Sequence, residues 1–152
     1  MPRKNLQVKH FLLLVLLVCA WLPCEAKHIA VVVNKNNSVD NVTATDLAKI
    51  LQVNTKKWAD GKNITIVLRD PSSLETQETL QRLFKMSQAE VTTFLQSHKG
   101  NFIAVETDEA LLKIVETTPG AVGLVDVYSI TSRINVVKVD GKLPLEQGYL
   151  LR

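Results

Sequence analysis

Four short runs dense in β-branched and aliphatic residues constrain this chain more than any other feature: Ile29–Val33, Ile64–Leu68, Ala121–Val125 and Asn135–Val139. The first and third are apolar throughout, the pattern of strands covered on both faces. Between the runs lie segments with apolar residues at helical spacing, each opened by a hydroxyl residue suited to an N-cap. Thr43 precedes Leu47, Ile50 and Leu51; Ser72 or Ser73 precedes Leu80, Leu83 and Phe84; Ser87 precedes Val91, Phe94 and Leu95; Thr107 precedes Leu111, Leu112 and Val115. Ser72 and Ser87 each have a glutamate three residues on, Glu75 and Glu90, which is the spacing of a reciprocal capping box. Phe102–Val105 adds a short extended piece, and Gly100 is expected to end the Ser87 helix. Strands alternating with capped helices predict a single α/β domain over residues 27–152, with a mixed, mostly parallel sheet flanked by helices. Gly123, inside a strand run, marks a close approach by another element. Trp58, beside the Asp60-Gly61 turn, is expected as a packing anchor.

The first 26 residues read differently. Arg3, Lys4 and Lys9 precede an uncharged apolar run of 12 residues, Phe11–Leu22, followed by Pro23-Cys24-Glu25-Ala26. That order is the one found in secretory signal peptides, and cleavage is expected after Ala26. The run is well short of the roughly 20 residues a helix needs to span a bilayer, so no permanent transmembrane helix is expected. Lipidation at Cys19 or Cys24 is the minority alternative, because Leu17-Val18 and Leu22-Pro23 are not the small residues that usually precede an acylated cysteine. The expected location is therefore periplasmic or secreted. Removal of this segment takes away both cysteines, and with them disulfides, thiol catalysis and Cys-based metal sites. It also takes three of 18 basic residues and one of 15 acidic ones, leaving 15 against 14 and a net charge of +1. Nothing in that balance suits nucleic acid or an anionic membrane surface.

Chemistry is concentrated in one stretch. Arg69-Asp70-Pro71-Ser72-Ser73 lies where the strand Ile64–Leu68 hands over to a helix. A cation and two hydroxyls placed beside the unpartnered first amides of a helix form an anion cradle. The plainer reading of the same serines is a helix cap, so the position of Arg69 separates a pocket from a cap. Elsewhere the sequence lacks a nucleophile elbow, a Walker loop and a dinucleotide glycine pattern. His28 and His98 stand far apart with no acid at metal-ligand spacing, and His98 near a helix C-terminus suits the helix dipole. No enzyme activity, cofactor or metal is implied.

The succession IAVVVNKNNSVDNVTATDLAKIL, KKWADGKNITIVLRD, a serine-containing loop and helix, VETTPGAVGLVDV and INVVKVDGKLP resembles the phosphate-binding proteins of bacterial phosphate ABC transporters. It is most similar to short, stand-alone members of that periplasmic-binding-protein superfamily, and the resemblance runs from His28 to Pro144. It implies a phosphate-binding role, or one for a related small oxyanion, with an ABC transporter as partner. Carried over by position, Arg69 matches the family's arginine, Asp70 its acidic residue and Ser72 or Ser73 its serine, with Thr76 also among the ligand-binding candidates. The chain departs from the pattern in lacking the loop glycine, in placing Leu74 and Glu75 where small and hydroxyl residues are expected, and in holding one lobe's worth of sequence. Those departures support a second reading: a non-catalytic envelope interaction or accessory module that keeps the fold without the ligand.

Overall fold

The computed structural model describes residues 27–152; the expected signal segment, 1–26, lies outside the described residues. Six strands form one sheet: β1 (Ile29–Asn34), β2 (Asn41–Val42), β3 (Thr65–Arg69), β4 (Phe102–Val105), β5 (Ala121–Asp126) and β6 (Ile134–Val139), in the spatial order β2-β6-β1-β5-β3-β4. Four helices join them: α1 (Ala44–Leu51), α2 (Leu74–Phe84), α3 (Gln88–Ser97) and α4 (Asp108–Thr117). The pairs β2–β6, β3–β4 and β3–β5 are parallel, whereas β1 runs antiparallel to both of its neighbours. Five strands therefore point one way, and the loops after β2, β3, β4, β5 and β6 gather at a single edge of the sheet. The expected mixed, mostly parallel sheet flanked by helices is what is found.

Alternation along β1 divides the core. Val31 and Val33 face one layer, with α1, α2, α3, Trp58, Tyr149 and Leu151. Ala30 and Val32 face the other, where α4 supplies Leu111, Leu112 and Val115. Burying each of these aliphatic side chains contributes roughly 2 kcal/mol. The approach expected at Gly123 is made by α4: a Cβ there would lie 2.5 Å from Leu111 Cδ2. Trp58 is buried and its indole N–H donates to the Gly120 carbonyl at 2.8 Å, so the ring anchors the Asp60-Gly61 turn against the start of β5.

One sequence expectation needs correction here. The Ser87 helix ends at Ser97, before Gly100, because His98 takes the cap position; its Nδ1 lies 2.9 Å from the Phe94 carbonyl and its ring stacks on Phe94. Residues 143–152 belong to the packed domain: Tyr149 and Leu151 are buried, and the Leu151 carbonyl accepts from the Ile29 amide at 3.0 Å. Burial pushes the Tyr149 phenol well above its ordinary range. Among the described residues no helix is long and apolar enough to cross a membrane.

Candidate functional site

Arg69 ends β3 at the sheet edge where the strand C-termini gather, the position at which open α/β sheets place ligands. The chain then turns sharply. Asp70 adopts a left-handed conformation (φ 32°), which aspartate tolerates better than most residues, and its amide donates to the Val105 carbonyl of β4 at 2.7 Å. Its Oδ1 accepts from the Ser72 amide at 3.2 Å and from the Ser72 hydroxyl at 2.5 Å. Asp70 and Ser72 thus build the turn, an aspartate folding back on the backbone two residues later.

Ser73, and not Ser72, caps α2. Its Oγ accepts from the Thr76 amide at 3.2 Å, while the Thr76 hydroxyl donates to the Arg69 carbonyl at 2.6 Å and ties the helix start to the strand end. The Ser72–Glu75 capping box expected from spacing does not form. Glu75 turns instead to the guanidinium: Arg69 Nη2 donates to Glu75 Oε2 at 2.6 Å, and Lys27 Nζ reaches the same oxygen at 2.8 Å.

The other arm of the guanidinium meets the residue that follows the Thr107 cap. Arg69 Nη1 donates to Asp108 Oδ1 at 3.0 Å, and Asp108 Oδ2 accepts from the Ser129 hydroxyl at 2.7 Å. Register explains the meeting. Arg69 pairs with Val105 in the parallel β3–β4 ladder, so the first turn of α4, three residues on, falls beside it. Asp108 is buried at 6% exposure, an unusual depth for an acid in a first turn, and the arginine accounts for it.

Arg69, Glu75, Thr76 and Asp108 line a cavity of about 20 Å³ whose walls also include Ile29, Thr79, Leu124 and Asp126. That is room for a water molecule. Lys27 and Arg69 balance Glu75 and Asp108, and Asp126 adds a further carboxylate on the wall. Unit charges about 4 Å apart interact by roughly 4 kcal/mol at an effective dielectric near 20. An incoming anion would therefore lose beside Glu75 much of what Arg69 offers. The structure brings all five candidates, Arg69, Asp70, Ser72, Ser73 and Thr76, into one turn of chain, yet only Arg69 and Thr76 line this cavity. Among the described residues no group of three or more His, Cys, Asp or Glu side chains is placed to hold a metal ion.

The architecture is a single α/β lobe with charged side chains at its strand C-termini. The chain belongs to the PBP superfamily domain family, whose model matches residues 25–148. No curated protein matches the sequence. Among solved structures it is similar to PstS from Borrelia burgdorferi, with a TM-score of 0.67 and 20% identity over 82% of this chain and 54% of that one. It is also similar to an ABC-type phosphate transport receptor from Vibrio cholerae (TM-score 0.63, 21% identity, 78% of this chain and 48% of that one). A third is a putative phosphate ABC transporter substrate-binding protein with bound phosphate from Clostridium perfringens (TM-score 0.62, 22% identity, 76% and 46%). The chain spans about half the length of these proteins.

Proposed function

We propose that this chain is an exported, non-catalytic solute-binding-like protein that takes phosphate or a related small oxyanion at Arg69, in connection with phosphate ABC transport. One observation carries the reading. Arg69 is held by Asp108 at the edge where β3, β4 and β5 end, beside the N-termini of α2 and α4, so a guanidinium and two positive helix ends converge on one place. Family membership and the phosphate-binding proteins of similar fold support it. Ser73 and Thr76 serve in this reading as the groups that set the helix end, with Asp70 and Ser72 shaping the turn before it. Export rests on the 1–26 signal pattern. Isothermal titration of the 27–152 protein with inorganic phosphate and sulfate is expected to give saturable heat that Arg69→Ala abolishes. Heat that survives in Arg69→Ala, or no heat at millimolar ligand under any condition, overturns the reading.

A second reading is favoured by the ion pairs themselves. Both arms of Arg69 are already engaged, and the cavity holds no more than a water, which suits an envelope interaction or accessory module that keeps the fold without its ligand. Capture of a specific envelope partner by a protein that stays silent toward oxyanions is its signature.

A further inference from the structure

We infer that Glu75 sets the affinity of the Arg69 site by standing in the place of the oxyanion, so that a ligand binds only as this carboxylate is displaced. The inference rests on the oxyanion reading above. A carboxylate presents two oxygens to a guanidinium much as an oxyanion does, and Glu75 Oε2 already sits 2.6 Å from Nη2.

The two carboxylates on Arg69 are not equivalent. Asp108 has both oxygens satisfied, one by Arg69 and one by Ser129, and its side chain is 7% exposed. Glu75 is more open, at 25%, and its second oxygen, Oε1, is buried without a donor. A half-satisfied acceptor is the weaker of the two anchors, because an unpaired buried oxygen has lost water and gained nothing in return. Asp108 is therefore the positioning residue that keeps the guanidinium at the edge, and Glu75 is the partner that yields.

Geometry shows what its departure would expose. Glu75 lies in the first turn of α2, where Ser73 has taken the Thr76 amide and left those of Leu74 and Glu75 without side-chain acceptors. Swinging Glu75 out toward solvent, where Lys27 is 53% exposed, frees the Nη2 that it now occupies. It also removes the negative charge nearest the incoming one.

The test compares Glu75→Gln with the unaltered 27–152 protein by isothermal titration, using inorganic phosphate and, separately, sulfate. Glu75→Thr serves as the second variant should the glutamine protein fail to fold. Folding is checked by circular dichroism. Binding at least roughly tenfold tighter in either variant, lost again in the double variant with Arg69→Ala, is the expected result. Equal affinity in unaltered and variant protein overturns the role of Glu75 and leaves the oxyanion reading standing. Absence of heat in all the folded proteins overturns both.

Discussion

Two helix starts in this chain carry the same four-residue signal and use it differently. At α3, Ser87 and Glu90 form the reciprocal box: the Ser87 hydroxyl accepts from the Glu90 amide, and the Glu90 carboxylate accepts from the Ser87 amide at 2.7 Å. At α2, Ser72 and Glu75 have the same spacing, yet the cap passes to Ser73 and Glu75 leaves for Arg69. The difference lies outside both motifs. Among the described residues no guanidinium bonds to the α3 start, where the carboxylate's partners are the Ser87 amide and hydroxyl. Beside α2 the preceding strand ends in an arginine, and a bond at 2.6 Å in which both partners are charged outcompetes one whose donor is a neutral amide. A capping box is thus a default that a nearby cation cancels.

The comparison breaks most visibly if the cation is removed. Arg69→Met leaves Asp108 buried without its partner, and urea denaturation is expected to show a loss of about 2–3 kcal/mol, below the range for a fully buried pair because Arg69 is about a quarter exposed. Adding Asp108→Asn should restore much of that loss, since the stranded charge causes it. The cap serines come next. Ser73→Ala and Ser87→Ala should each cost about 1 kcal/mol, while Ser72→Ala should stay within about 0.5 kcal/mol because the Ser72 hydroxyl bonds Asp70 and caps no helix amide. Equal losses for Ser72→Ala and Ser73→Ala would mean that the box at α2 forms in solution after all.

The smallest effect is one of pH. Hydrogen bonds from the Ser87 amide and hydroxyl hold the Glu90 carboxyl below its ordinary value of 4.5. A depressed carboxyl stabilises the fold fully above its unfolded value, and that contribution is lost as pH falls through the folded one. Glu90→Gln should therefore be less stable than the unaltered protein at about pH 6, with the gap closing as pH falls through the lowered folded value of Glu90. A gap that stays constant over this range would show that the α3 box adds nothing to folding.

The sequence showed most of the frame and only part of the site. Apolar runs, caps and turn glycines located the strands and helices because each is a local signal, read within a few residues. The β1 strand was visible, but not its antiparallel setting among five strands that run the other way, which depends on partners about a hundred residues distant. The same holds for the site. Arg69, Asp70, Ser72, Ser73 and Thr76 are contiguous and stood out together. Asp108, Ser129 and Lys27 reach Arg69 or its partners only through β3–β4 pairing and the placement of β1 and β5, so nothing beside them in sequence announces the contact. The one available clue was an acid following a capping threonine at the end of a short strand, which the helix dipole explains as well.

The central position of β1 also decides when this protein becomes a protein. The first described strand has no neighbours until β5 and β6 exist, and the Ile29 amide then closes on the carbonyl of Leu151. Contacts so distant along the chain form late and slowly. The β1 strand thus stays unpaired until β5 and β6 have been made, so the centre of the sheet closes as one event rather than strand by strand.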